Sequence, residues 1–296
     1  MKIALIANPY SGKANSRKLI PAVEKLLYAN LIKFDLYLTR YHGHAAEIIK
    51  QISIREYDAV VSVGGDGTNY HVLNGVLKYH GDGQLPPMGI IPAGRGNSFG
   101  KDLQVFTFAD GVAALSRQAT KKVDVCRFAQ KNQEYYFVNL MGLGFVTDVA
   151  RTAARFKWAG DFSYVIGVFY HTLGLTFHRM DLDIDGEVTA GENCFVEICN
   201  SRFTGGDMLM APDAKIDDGL FDAVIVSRLS RISLISTFPK IFKGIHGLNP
   251  AVRFIKGKSA IIRTRPAKTL LPDGEIFGTT PTRIDVLPGR VQYFSL

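Results

Sequence analysis

The stretch Val60–Asn69, VVSVGGDGTN, decides the fold of the first part of this chain. Val60, Val61 and Val63 are β-branched and suit a strand covered on both faces in a parallel sheet. Gly64, Gly65 and Gly67 then take side chains away from a sharp turn, so backbone N–H groups can approach an anion closely. Thr68 adds a hydroxyl near the start of a helix, whose N-terminal amides and dipole favour a phosphate. Asp66 is out of place in such a cradle, because a bare carboxylate repels a polyphosphate. It needs a role, such as orienting Mg²⁺ or its water shell, polarising an attacking hydroxyl, or capping the helix. A plain tight turn with Asp as N-cap is the competing reading. Three glycines, Asp and Thr after a β-branched run favour phosphate binding.

Working outward in both directions, strand and helix patterns alternate. Lys2–Asn8 reads as a strand, followed by the turn Asn8-Pro9-Tyr10-Ser11-Gly12-Lys13, which offers side-chain hydrogen bonds, a glycine and a positive charge. A helix is expected from about Ser16, with Leu19, Ile20, Val23, Leu26 and Leu27 at helical spacing. Lys33–Thr39 alternates as a second strand, and Thr39 ends it where ligands of open α/β sheets bind. His44–Ile52 reads as a helix, and Val72, Leu73, Val76 and Leu77 give another its apolar face. Met88–Pro92 is a fourth strand and Ala93–Gly100 (AGRGNSFG) a second glycine-rich turn. Residues 1–120 therefore predict a parallel α/β domain.

From about Lys121 strand follows strand. Expected strands are 123–129, 135–140, 181–184, 194–199, 221–226, 259–264, 282–287 and 291–294, with Asp185-Gly186 as a hairpin turn. Helical patches are expected at Val146–Lys157, Tyr164–Phe177 and Ile232–Phe242. Residues 121–287 thus predict a mainly antiparallel β domain with helical insertions.

The 296 residues suit two ordinary domains, and 47% hydrophobic with 21% charged residues is a globular balance. The three cysteines, Cys126, Cys194 and Cys199, fit neither a disulfide framework nor a zinc motif, which points to a reducing cytoplasm. The opening MKIALIANPY enters a strand pattern directly and lacks signal-peptide architecture. Tyr164–Phe177 is apolar but short for a span of about 20 residues. The formal charge is +8, and the interval 223–272 holds ten Lys and Arg with no acidic residue. Such an interval suits an anionic membrane surface; a solvated basic face is the alternative. No aromatic-basic motif supports nucleic acid as a partner. His42 and His44 sit in a Gly-containing loop, no other histidine pair has ligand spacing, and the histidines read as solvated or core residues.

Asn8–Gly12, Gly64–Thr68 and Pro92–Asn97 follow three successive strands of one domain, and Asp217-Asp218-Gly219 and Asp273-Gly274-Glu275 lie downstream. In these motifs the chain resembles the diacylglycerol kinase catalytic family, which includes bacterial lipid kinases, sphingosine kinases and ceramide kinases. GGDGT alone is shared with NAD kinases and phosphofructokinases; the other strings make the lipid branch more specific. The resemblance implies a nucleotide-binding α/β domain of NAD-kinase/diacylglycerol-kinase type, then a β-sandwich domain, with 288–296 open to return to the first. It implies ATP over Asn8, Pro9, Tyr10, Ser11, Gly12, Thr39, Gly64, Gly65, Asp66, Gly67, Thr68, Asn69 and Tyr70, with Arg95 nearby. It implies Glu275 as general base and Asp66 as a holder of the catalytic Mg²⁺. It also implies a structural metal site of the Asp218 carboxylate and the main-chain oxygens of Lys215 and Leu220. Gly144–Asp148 (GFVTD) looks like the sphingosine kinase segment whose Asp contacts a lipid head group, so Asp148 is a candidate substrate contact. A helix N-terminal Asp is its bland alternative.

Two departures stand out. Arg95 replaces the family's small hydroxyl, and Asn69-Tyr70-His71 replaces a hydrophobic-Asn-Glu run. The function implied is an ATP- and Mg²⁺-dependent kinase of a membrane-lipid hydroxyl, diacylglycerol first and a sphingoid base second. It would be cytoplasmic and peripheral at the inner face of the membrane, with a homodimer left open. The rivals are a soluble-acceptor kinase acting on NAD, and a non-catalytic lipid-binding protein with a decayed site.

Overall fold

The computed structural model describes residues 1–155 and 162–296. The chain divides into two compact units, Met1–Val125 with Tyr135–Val138 and Pro288–Leu296, and Cys126–Glu134 with Asn139–Leu287.

Unit 1 alternates strand and helix: β1 (Lys2–Ala7), α1 (Ser11–Ala29), β2 (Lys33–Leu38), α2 (His44–Gln51), β3 (Ala59–Gly64), α3 (Asp66–His80), β4 (Met88–Pro92), α4 (Ser98–Asp102) and α5 (Phe108–Arg117). The strands run parallel in the order β2-β1-β3-β4. Every residue of β3 is buried, as its apolar run, broken only by Ser62, suits a strand covered on both faces. Full burial of Val60, Val61 and Val63 stabilises the sheet by roughly 1.5 kcal/mol or more each. Parallel strands open all their C-terminal ends at one edge, so the loops after β1, β3 and β4 gather there. The chain end belongs to this unit. Tyr293 pairs in parallel with Met88, is fully buried, packs edge-on against Phe99 and donates its hydroxyl to Asn69 Oδ1 at 3.1 Å.

The rest of the chain supplies β5 (Thr120–Gln130), β6 (Gln133–Phe137), β7 (Leu140–Gly144), α6 (Phe145–Arg155), α7 (Phe162–Leu173), β8 (His178–Ile184), β9 (Glu187–Cys199), β10 (Phe203–Thr204), β11 (Met208–Leu209), β12 (Phe221–Ser227), α8 (Arg231–Ile241), β13 (Val252–Gly257), β14 (Ser259–Arg265), β15 (Leu270–Pro272) and β16 (Thr282–Phe294). Within unit 2 the ladders are antiparallel, in the order β13-β12-β9-β8-β14-β16. Asp185 and Gly186 both have positive φ, 51° and 92°, and form the primed turn that joins β8 to β9. β9 changes partner along one edge: Glu187–Asn193 pairs with β8, and Phe195–Cys199 pairs with β7. Gly144 sits at the change. Its φ is +85°, and a Cβ there would run into Cys194 O and the His178 ring. No other residue type fits where β7 turns into α6.

Several boundaries differ from the sequence expectations. The first helix begins at Ser11, not near Ser16, so Ser11 and Gly12 form its first turn. The expected strands 282–287 and 291–294 are one strand, because Pro288-Gly289 bends the chain without ending the extended run. The expected strand 135–140 is two pieces, β6 ending at Phe137 and β7 starting at Leu140. The helix expected over Tyr164–Phe177 ends at Leu173, ahead of Gly174. Lys157, in the expected helix Val146–Lys157, and the Lys13 side chain lie outside the described residues. Among the described residues no helix is long and apolar enough to cross a membrane.

Candidate active site

Three loops converge at the strand ends of unit 1. Asn8 takes its place through its amide, which donates to Val63 O at 2.9 Å. Its side-chain Nδ2 donates to Thr68 Oγ1 at 3.3 Å, and its Oδ1 accepts from the Tyr10 amide at 3.0 Å. One asparagine thus ties the first loop to the start of α3. The third loop joins through Ala93 N and Gly94 N, which both donate to Gly64 O at 2.8 and 3.2 Å. Ser16 Oγ, buried, donates to Ala93 O at 3.1 Å and links α1 to the same loop.

Glycines make this convergence possible. A Cβ on Gly94 would overlap Gly65 Cα, and one on Gly12, whose φ is +58°, would overlap Ala93 O. The backbones therefore approach to distances that side chains forbid. Asn97, at φ 47°, closes the third loop on itself by accepting from Gly94 N and donating to Gly94 O.

Asp66 has a structural role here. Its Oδ2 accepts from Ser98 N at 3.0 Å and its Oδ1 from Phe99 N at 3.2 Å. The carboxylate at the start of α3 satisfies the amides that open α4. Desolvation raises its pKa above the usual carboxylate value, against the pull of these amides and of Lys101.

The remaining nucleotide candidates separate. Pro9, Ser11, Gly65 and Gly67 are partly exposed in the cradle, Gly64 is buried beneath it, and Tyr10 is 69% exposed. Thr39 is buried just past β2 and its amide donates to Ala7 O at 2.9 Å, beside Asn8 in sequence. Arg95 is exposed. Asn69 and Tyr70 are buried, and Asn69 is engaged by Tyr293, so neither side chain opens onto the cradle. His42 and His71, without ligand spacing in the sequence, meet with Nε2 atoms 3.4 Å apart and rings edge-to-face.

In unit 2 the motif Asp273-Gly274-Glu275 forms a tight turn. Asp273 and Gly274 have φ of 46° and 84°, and Glu275 N donates to Pro272 O at 2.8 Å. Asp273 is 5% exposed, and its Oδ1 accepts from Asn139 N at 2.9 Å and Leu140 N at 3.1 Å, while its own amide donates to Leu140 O. The turn is clamped onto the start of β7, and Glu275 stands on it partly exposed. Asp273, the first residue of the D-G pair, is thus the residue that anchors the turn carrying Glu275, a role that Asp before Gly signals in the sequence.

β7 leads from this clamp into α6, whose first turn carries Asp148, partly exposed. Thr147 Oγ1 and Arg151 bond Thr269 and hold the helix down. In the loop before β12, Asp218 Oδ1 accepts from Leu220 N at 3.1 Å, and its Oδ2 lies 3.7 Å from Lys256 Nζ. Lys256 also bonds Asp222 at 2.7 Å and Asp213 O at 3.2 Å, so this cluster already holds one positive charge. Lys215 is exposed. One carboxylate and main-chain carbonyls suit a hard cation that keeps most of its water.

Comparison with known proteins identifies both parts of the chain. The diacylglycerol kinase catalytic domain model matches residues 2–128, and the model described as YegS C-terminal NAD kinase beta sandwich-like domain matches residues 139–295. The chain is 30% identical over 280 residues to a diacylglycerol kinase of Staphylococcus haemolyticus, covering 94% of this chain and 83% of that one. It is 28% identical over 294 residues to a diacylglycerol kinase of Staphylococcus carnosus, covering 98% and 94%. It is 24% identical over 310 residues to sphingosine kinase 1 of Arabidopsis thaliana, covering 88% of this chain and 64% of that one. The crystal structure of a diacylglycerol kinase from Bacillus anthracis superposes with a TM-score of 0.77 at 22% identity, covering 100% and 97% of the two chains.

Proposed function

The chain belongs to the diacylglycerol kinase family and is a lipid kinase, and from that premise we propose that it transfers the γ-phosphoryl of ATP, with Mg²⁺, to a hydroxyl of diacylglycerol. The observation that carries the reading is the pair of built sites: the glycine cradle of unit 1, and a carboxylate on a clamped turn in unit 2.

Each part has a chemical role. Phosphoryl transfer needs positioning and charge neutralisation more than covalent chemistry. In this reading the amides of Gly64–Thr68 and of the loop after β4 hold the phosphates, and Asn8 and Thr68 fix the loops that present them. Asp66 keeps the second and third loops in register and would be the carboxylate that helps hold the catalytic cation. A divalent cation supplies neutralisation of the phosphate charge when bound. Arg95 adds a guanidinium suited to bidentate contact with phosphate. The lipid hydroxyl is a poor nucleophile at neutral pH; Glu275 accepts its proton as the phosphoryl group arrives. Asp218 with the carbonyls of Lys215 and Leu220 would hold the structural cation.

The membrane supplies the substrate, and the interval 223–272 supports docking to an anionic surface. Arg231 and Lys243 are exposed on and just after α8, among exposed Ile232, Ile235, Phe242 and Ile245. Lys256 is less available, because Asp222 and Asp213 O engage it. The test of the whole reading is transfer from γ-labelled ATP to a panel of diacylglycerol, monoacylglycerol, sphingosine, ceramide and phosphatidylglycerol in mixed micelles, with NAD as soluble control. Label in diacylglycerol supports the reading. Label only in sphingosine moves the acceptor to a long-chain base read by Asp148, and label only in NAD refutes a lipid acceptor.

A further inference from the structure

The loop after β2 carries His42, and the second turn of α3 carries His71. They lie 29 residues apart in the chain, yet their Nε2 atoms stand 3.4 Å from each other. The fold builds this meeting. Gly75 has no side chain where α2 packs on α3: a Cβ there would meet Ile49 Cβ at 2.8 Å and Ala46 Cα at 3.0 Å. The two helices therefore approach closely, and the loop that leads into α2 lies against α3.

Both imidazoles are held by what surrounds them. Arg40 N donates to His44 Nδ1 at 3.1 Å, the Tyr41 hydroxyl donates to Glu47 at 2.5 Å, and the Tyr41 ring packs on His44. Gly43, at φ +85°, turns the chain into α2. These contacts pin the chain on both sides of His42. Tyr70 is buried and meets the His71 ring edge-on, with centroids 5.3 Å apart. His42 is exposed and His71 half-buried, so an ion can reach them from solvent. Holding two side chains in one place costs rotamer freedom that a lone N–H···N bond at the surface barely offsets.

The spacing is that of a metal site. A tetrahedral ion with Zn–N distances of about 2.0–2.1 Å holds its ligand nitrogens about 3.4 Å apart. Neutral imidazole is a ligand for Zn²⁺ and other late transition metals, whereas Mg²⁺ takes oxygen. The rings stand edge-to-face with centroids 4.7 Å apart, and turning them about their side-chain bonds aims both nitrogens at one ion.

We infer that His42 and His71 form a site for a transition-metal ion of the Zn²⁺ class, separate from the Mg²⁺ that phosphoryl transfer uses. The two imidazoles supply part of a tetrahedral set of ligands, and water fills the remainder. His71 lies five residues beyond Asp66 on α3, and His42 three beyond Thr39, so the ion sits beside the glycine cradle of unit 1.

The test is calorimetric titration of Zn²⁺ into the metal-stripped full chain, for wild type, His42→Ala and His71→Ala, with Tm followed as Zn²⁺ is added. Wild type is expected to bind one Zn²⁺ per chain and to gain Tm with it. Each substitution should weaken Zn²⁺ by about tenfold or more, the scale for losing even a group that only supports a ligand, and should remove the gain in Tm. The His42 side chain is exposed, so His42→Ala should keep the metal-free Tm of wild type and decides the matter even if His71→Ala fails to fold. No Zn²⁺ bound by wild type, equal affinity in wild type and His42→Ala, or displacement of the Zn²⁺ by excess Mg²⁺ overturns the proposal and leaves the pair a hydrogen-bonded contact.

Discussion

Glu275 and Asp273 divide the work of one turn. The first is partly exposed, where a substrate hydroxyl can reach it, and the second is buried and holds the turn to β7. Glu275→Gln should therefore lower kcat by 10²-fold or more, the usual scale for general-base loss, with ATP affinity from calorimetry nearly unchanged. Asp273→Ala strips partners from the buried amides of Asn139 and Leu140 and should cost about 1–3 kcal/mol in denaturant unfolding. Its kcat should fall with stability, whereas Glu275→Gln should unfold like wild type. Glu275 and Asp66 draw notice in the sequence because a carboxylate in a glycine turn demands an explanation. Asp273 draws less, because its partners lie more than 130 residues away along the chain. Asn69 and Tyr70 follow the cradle in sequence, and the turn of α3 carries their side chains into the core.

At the scale of elements, the unit 1 strands announced themselves by β-branched, apolar runs ended by glycine, and the parallel order placed their loops together. What the sequence hid were choices set by distant neighbours. One is the partner change of β9, enforced by the Cβ-free Gly144; another is the single long β16. Glu197 was hidden differently: the apolar run around it reads correctly as a strand, and only its pairing with Gly142 and Val224 shows that the carboxyl has no polar neighbour across the sheet. The cradle makes a sharp prediction of its own. Gly94→Ala places a methyl on Gly65 Cα, so the loops after β3 and β4 must part. ATP affinity should weaken at least tenfold by calorimetry, while lipid binding should be little changed.

Two whole-molecule properties follow from charge. Glu197 has a folded-state pKa of about 8 against an ordinary 4.5, so its contribution is fully present below 4.5 and lost as pH rises toward 8. His178, lowered to about 4 from 6.5, acts oppositely: its contribution is present above 6.5 and lost as pH falls toward 4. Between 6.5 and 8 the glutamate acts without the histidine, and its share of the stability loss is roughly 2 kcal/mol at most. Glu197→Gln should flatten the fall in Tm across that window, and an equal slope in both proteins would refute the assignment. The second property is the basic interval. Reversing charge at Arg231 and Lys243 should weaken binding to anionic vesicles by about tenfold or more, at about 1 kcal/mol for each basic residue near the surface. Reversal at Lys256 should instead lower Tm, since it breaks the contact with the buried Asp222.

The central claim is that a glycine cradle and a clamped carboxylate serve one phosphoryl transfer to a lipid. It is tested most directly by the initial rate of label transfer from γ-labelled ATP to diacylglycerol in mixed micelles, measured side by side for wild type and Glu275→Gln at saturating ATP. The account predicts labelled lipid with wild type and a rate at least 10²-fold lower with Glu275→Gln. Equal rates in the two proteins, or no labelled lipid from a wild type that binds ATP, would contradict it.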